Sequence, residues 1–213
     1  MPNDRDSPLP PGAAAPSYPA GTVRALVVTD AVREPTRRAL QARLDGGSPG
    51  SPLFFEEAAF ADLEAVCERL IPQPDRADPI PLAAAIDARL AEGRGDGWRY
   101  DALPQDGEAH RRGLAGLNET SNIVFGANFR TLGGAEQDRV LEAIQREQAP
   151  GDTWRTLNAA RFFEDLLAEV VEAYYAHPLA QEEIGYVGMA DAPGWQAIGL
   201  DERDEREPAR NAP

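Results

Sequence analysis

Between Thr153 and Ala176 the residues Phe163, Leu166, Leu167, Val170, Val171 and Tyr174 form one continuous apolar stripe at helical spacing. Glu164, Asp165, Glu169 and Glu172 read as occupying the other faces. A stripe of that length has to be covered by further helices or by a sheet. No series of alternating apolar and polar residues offers strands for a sheet, and no internal repeat suggests a solenoid. The chain therefore reads as all-α, an irregular helical bundle with long connections. His177-Pro178 ends the long helix, because the residue before a proline is pushed out of helical geometry.

Shorter segments repeat the same design. From Glu56 to Ile71, the positions Ala59, Phe60, Leu63, Val66, Cys67 and Leu70 recur on one face, with Glu57, Asp62, Glu64, Glu68 and Arg69 turned outward and Pro72 and Pro74 as stops. Leu82 to Leu90 carries Leu82, Ile86 and Leu90, and the glycines at 93, 95 and 97 close it. Pro104 to Leu117 is expected to be helical, with Gly113 and Gly116 as points where another backbone approaches closely. After a loop rich in Asn and Gly, Glu136 to Glu147 presents Val140, Leu141 and Ile144 on one side. Nearer the N-terminus, Thr29 and Asp30 can cap a helix that has Pro35 in its first turn, bears Ala39, Leu40 and Leu44, and stops at Asp45-Gly46-Gly47. Val23 to Val28 is too short for its periodicity to decide, and is expected to be an extended lead-in. The domain plan is a Pro/Ala-rich disordered tail over 1–21, one helical domain over 22–200, and a charged disordered tail over 201–213.

Composition then removes whole classes of chemistry. All 21 basic residues are arginine. Without lysine there is no P-loop amine, no Schiff base and no kinase-type Lys–Glu pair. The one cysteine, Cys67, cannot form an internal disulfide or a multi-cysteine metal site, and on the apolar stripe of its helix it reads as core. The formal charge of −15 repels phosphate backbones and anionic lipid, so neither nucleic acid nor a membrane surface is an expected partner. No run approaches the roughly 20 apolar residues of a membrane span, and the start of the chain has no apolar core of a secretory signal. Arg37-Arg38 is a twin arginine in letters only, since Ala-Leu-Gln-Ala-Arg-Leu follows it. A soluble protein is expected.

Motifs that could carry catalysis fail on context. Gly46-Gly47-Ser48-Pro49-Gly50 spells a nucleophile elbow but lies in a linker, without the strand and helix that would expose Ser48. Trp98 stands where a dinucleotide fingerprint beginning at Gly93 needs its third glycine. A di-iron bundle requires Glu-x-x-His, yet Gly107 precedes His110 by three and Tyr174 precedes His177 by three. Glu64, Glu68, Glu164, Glu169 and Glu172 then read as solvated faces with local arginine partners. Asn118-Glu119-Thr120 fits a glycosylation sequon, but with no secretory signal it reads as coincidence.

His177 is followed by a stretch dense in aromatic residues and glycine: Ile184-Gly185-Tyr186-Val187-Gly188, then Pro193-Gly194-Trp195-Gln196-Ala197-Ile198-Gly199. It lacks helical periodicity and reads as a non-helical C-terminal strap over the bundle. His177 is then placed to satisfy the last helical carbonyls, and Tyr186 and Trp195 to anchor a protein contact, so His177, Tyr186 and Trp195 are the candidate partner-interface residues. No catalytic, cofactor-binding or metal-binding residue is assigned.

Three blocks give the chain a likeness to a known family. They are Phe54-Phe55 through Glu68-Arg69-Leu70-Ile71-Pro72, Arg161-Phe162-Phe163 through Tyr175, and His177-Pro178 through Ile184-Gly185-Tyr186 to Gly194-Trp195 and Ile198-Gly199. Over about Phe54 to Leu200 the sequence resembles the small, third subunit of gluconate 2-dehydrogenase. The resemblance implies a helical subunit with no cofactor of its own. It would bind and stabilise a large flavoprotein of the glucose-methanol-choline oxidoreductase type, with FAD on that partner. Some members carry a twin-arginine export signal; none is seen here, so a cytoplasmic hetero-oligomer is expected. Two competing readings stay open: a free-standing helical enzyme with His177 or His110 as general base beside a carboxylate, and a helical adaptor unrelated to redox metabolism.

Overall fold

A computed structural model describes residues 18–46, 50–95 and 103–186. Every regular element among them is a helix: α1 (Thr22–Val27), α2 (Glu34–Asp45), α3 (Glu57–Leu70), α4 (Leu82–Ala91), α5 (Asp106–Phe125), α6 (Gly134–Gln145), α7 (Ala159–Tyr175) and α8 (Pro178–Glu183). Single 3-10 turns lie at Phe129–Thr131 and Thr153–Arg155. The fold is all-α, as its apolar periodicity requires, and none of the described helices is long and apolar enough to cross a membrane. The chain divides into two compact units, Gly47–Tyr174 and Met1–Gly46 with Tyr175–Pro213.

In the larger unit α3 packs on α4, and α5 lies against α3, α6 and both 3-10 turns. The core is contiguous in sequence type rather than in position: Leu63 and Val66 of α3, Ile86 of α4, Leu114 and Leu117 of α5, Ile144 of α6, and Phe162, Leu166 and Val170 of α7 are all buried. Each such side chain contributes about 1.5–3 kcal/mol relative to an exposed one. A polar clamp holds the entry to α3. The buried carboxylate of Asp87 on α4 accepts from the backbone N–H of Leu53, Phe54 and Phe55 at 2.6, 3.0 and 3.0 Å. On the exit side Pro72 follows Ile71, whose N–H closes on the Cys67 carbonyl at 2.9 Å.

Several expectations change in this unit. Asp62 is buried rather than outward-facing: Asn118 donates to it at 2.5 Å and Arg130 lies 3.7 Å away. Asn118 also accepts from the Phe129 N–H at 3.0 Å, so the sequon asparagine is a structural bridge. This polar satisfaction lets α5 run on past Leu117 to Phe125, where Gly126, at φ 73°, provides the left-handed residue that stops it. The long C-terminal helix begins later than expected. Thr153–Arg155 is a 3-10 turn, and α7 starts only after Asn158, whose side chain caps the Arg161 N–H at 2.9 Å. Gly113 and Gly116 admit aromatic side chains rather than a backbone: a Cβ at Gly113 would collide with the ring of Phe162, and one at Gly116 with Trp154 and Thr153.

The smaller unit has an apolar cluster of Val27, Val32 and Leu40, with Tyr18, Leu26 and Leu44 packed on it. Its first segment is a helix, not an extended lead-in. Val23 and Val27 share one face four residues apart, and the orphan N–H groups at the helix start find a distant acceptor, because Glu182 of α8 accepts from Gly21 at 2.7 Å and from Val23 at 2.8 Å. α2 stops where expected and has Pro35 in its first turn, but it starts at Glu34 with Arg33 as its N-cap rather than being capped by Thr29 or Asp30. Immediately after the stop at His177-Pro178, the proline opens α8.

Candidate functional site

The most concentrated polar chemistry in the larger unit is a buried cluster from α4, α5 and α7. On α5, Asp106 and His110 are one turn apart, and His110 Nδ1 lies 2.8 Å from the Asp106 backbone carbonyl, so Nδ1–H is the donor. The other ring nitrogen, Nε2, faces Glu169 Oε2 of α7 at 2.5 Å. Glu169 Oε1 meets the guanidinium of Arg89 on α4, and Arg89 also reaches Asp106 Oδ2 at 3.2 Å. The Phe162 ring stands edge-on to the imidazole, with centroids 6.3 Å apart. His110 is 0 % exposed and Glu169 7 %. Burial pushes the imidazole below its ordinary pKa. The Asp106 carbonyl and the Asp165 and Asp106 carboxylates push it upward, and Arg89 adds to the downward side. With no exposed surface, His110 is not within reach of a substrate in this structure. The arrangement is suited to joining three helices.

Glu169 does not lie on a solvated face with a local arginine, as its sequence context suggests. It is buried against Arg89, which comes from a different helix. The signal is present in the register: Glu169 stands seven residues after Phe162 and three after Leu166, and Arg89 stands seven after Leu82 and three after Ile86. Both occupy apolar-face positions, where a charged residue implies a buried partner. His110 likewise lies four residues before Leu114 and seven before Leu117.

In the smaller unit, His177 is the N-cap of α8. Its Nδ1 accepts from the Leu179 N–H at 3.3 Å, while Nε2 lies 2.9 Å from the Arg43 carbonyl at the end of α2. A neutral ring protonated on Nε2 satisfies both contacts. The helical carbonyl it serves belongs to α2, and Arg43 returns the contact by donating to the Ala176 carbonyl at 3.0 Å. His177 is thus a buried clasp. By contrast, Ile184 and Tyr186 are 49 % and 54 % exposed, and Tyr175 is exposed in the same unit. Trp195 and the strap beyond Tyr186 lie outside the described residues, as do Ser48 and Trp98.

The larger unit has, among its concavities, two lined by described residues. A groove of about 460 Å³ follows α3 into α4, floored by Cys67, Ile80 and Leu82 and edged by Glu64, Glu68 and Pro72. Burial, with a smaller contribution from Glu64, pushes the Cys67 thiol up to about 12, so it is not a nucleophile. A second cleft of about 710 Å³ sits at the start of α5, between Phe54, Arg94 and Arg111. Arg111 covers the Phe54 ring at 3.8 Å from its centroid, a cation–π contact that occupies the guanidinium. Among the described residues no group of three or more His, Cys, Asp or Glu is placed to hold a metal ion.

A family model described as Gluconate 2-dehydrogenase subunit 3 matches residues 57–199, about the span over which the three sequence blocks carry their likeness. No curated protein and no solved structure matches the chain.

Proposed function

The chain belongs to the gluconate 2-dehydrogenase subunit 3 family, and on that premise we propose that it is the non-catalytic small subunit of a flavin-dependent sugar or alcohol oxidoreductase. The family description names one subunit of a larger enzyme and so points to a hetero-oligomer. The finer reading places FAD and the oxidation on a large partner of the glucose-methanol-choline type. This subunit holds and stabilises that partner in a cytoplasmic complex.

One observation carries the proposal: both histidines are turned inward, while Ile184 and Tyr186 are turned out. His110 has no exposed surface, and both ring nitrogens of His177 are engaged with backbone. Ile184 and Tyr186 stand about half exposed within the family-matched span. Amphipathic tyrosine beside an aliphatic residue is the composition of an interface core. The same observation disfavours a free-standing enzyme, which would need one of these histidines to reach a substrate.

The test is affinity purification of the full-length tagged chain from cells that also express a flavin-dependent dehydrogenase subunit, read by mass spectrometry and by the flavin absorption band. A large flavoprotein should co-purify, and the double change I184S/Y186S should lower its recovery at least tenfold, equivalent to about 1.4 kcal/mol of binding. A chain that purifies alone, unfolds sharply as a monomer and turns over a sugar without added flavin would overturn the reading.

A further inference from the structure

We propose that the larger unit folds around a stored proton: the His110–Glu169 pair carries one more proton in the native state than the same two side chains carry in the unfolded chain at neutral pH, so the packing of α4, α5 and α7 loosens as pH rises.

The geometry demands that proton. A backbone carbonyl can only accept, so the 2.8 Å contact from Nδ1 to the Asp106 carbonyl fixes a hydrogen on Nδ1. In a neutral ring so protonated, Nε2 presents a lone pair. Facing it at 2.5 Å is an oxygen of Glu169, which offers only lone pairs when ionised. Two acceptors at that separation in a dry interior repel strongly; a proton held by the pair turns that repulsion into attraction between opposite charges.

The surrounding charges act in both directions: Arg89 opposes an added proton, while Asp106 and Asp165 favour it. From α4 comes Arg89, which meets Glu169 and Asp106; α5 contributes Asp106, and α7 contributes Asp165, which raises the imidazole's affinity for protons. Of the other buried carboxylates, Asp62 on α3 is engaged by Asn118 and Arg130, and Asp87 on α4 by three backbone N–H groups. The buried carboxylates Asp106 and Glu169 both meet the Arg89 guanidinium, and a proton added to the pair lowers the negative charge beside it. Because burial alone disfavours an isolated imidazolium, the proton belongs to the pair and not to His110 by itself.

The sign follows from proton counting. In the unfolded chain an ordinary histidine releases its proton near pH 6.5, and glutamate is ionised above about 4.3. Above pH 6.5 the native state therefore holds one proton that the unfolded state lacks. Native stability falls with rising pH, the folding constant dropping about tenfold per pH unit until the pair itself lets go.

The experiment is urea unfolding of the full chain, followed by tryptophan fluorescence at pH 7 and pH 8, below the range where the unfolded Cys67 thiol ionises fully. The wild-type folding constant should fall about tenfold over that interval. Glu169→Gln presents an amide N–H to neutral Nε2 and needs no extra proton, so its constant should change less than twofold. The amino terminus and His177 are common to both proteins and cancel in the comparison. Should Glu169→Gln fail to fold, refolding of the wild type at pH 7.5 in weakly buffered solution with a pH indicator counts the same proton directly. Uptake close to one proton supports the stored proton. Uptake near zero, or an equal slope in wild type and variant, overturns it.

Discussion

The two units share backbone-serving buried polar residues, such as Asp87 in the larger, but among the described residues the larger one adds a cluster of buried charges. In the larger one, Arg89, Asp106, His110 and Glu169 meet largely side chain to side chain inside a core already rich in Phe and Leu. In the smaller one the buried polar groups serve backbone: Glu182 accepts from two N–H groups at the start of α1, and His177 joins the end of α2 to the start of α8. The reason is the size of each core. A cluster built on Val27, Val32 and Leu40 removes little apolar surface from water, so short helices there depend on having their terminal groups satisfied. The larger unit buries enough to tolerate a charged cluster whose desolvation is costly.

That contrast can be attacked directly. The largest effect is expected from Phe162→Ala, which removes the ring seated over Gly113 and beside Trp154 and should cost about 3–5 kcal/mol in the larger unit, measured by denaturant unfolding. A cost below about 1 kcal/mol would mean that the core is not what holds α5 to α7. Next, Glu182→Ala should cost about 1–3 kcal/mol by leaving the Gly21 and Val23 N–H groups unpaired. Amide exchange in α1 reads it, and unchanged protection there would erase the distinction between the units.

The smallest effect sharpens the picture, because it tests a backbone-serving carboxylate in the larger unit. Glu119 accepts from the Asp152 and Thr153 N–H groups at 2.7 and 3.0 Å, and those two bonds hold its carboxyl below the usual range. A carboxylate depressed in the native state contributes stability above its unfolded value, near pH 4.3, and that contribution is lost as pH falls through the lower native value. Acid titration of Glu119→Gln should show a shallower loss of stability than the wild type below about pH 4.3. Coincident curves would show that the two bonds contribute nothing in water.

What can be read in the sequence follows the same division. The apolar stripes of α3, α4 and α6 place those helices within a few residues, and that of α7 places its end but not its start, since burial imposes a period that survives without knowledge of the partner. Long-range polar contacts leave no such trace. Val23 to Val28 has no local reason to be helical until Glu182 supplies an acceptor, and α5 passes Leu117 because Asp62 and the Phe129 N–H satisfy Asn118. The charged cluster lies between these extremes. Arg89 and Glu169 sit in core register, so their positions announce burial, although nothing in either helix alone names the other as its partner. His177 is tied to a helix end, as its place before Pro178 suggests, but the carbonyl it serves is on α2, 134 positions away.

The clasp between Glu182 and the start of α1 also orders events on the ribosome. The acceptor for Gly21 is made 161 residues after it. At about 5–20 residues per second, the first helix waits roughly 8–30 s for the group that caps it. Residues 47–174 emerge entirely within that interval and can pack first. α1 is thereby made well before the group that caps it, so a nascent chain cut short before Glu182 would leave the Gly21 and Val23 N–H groups without their acceptor.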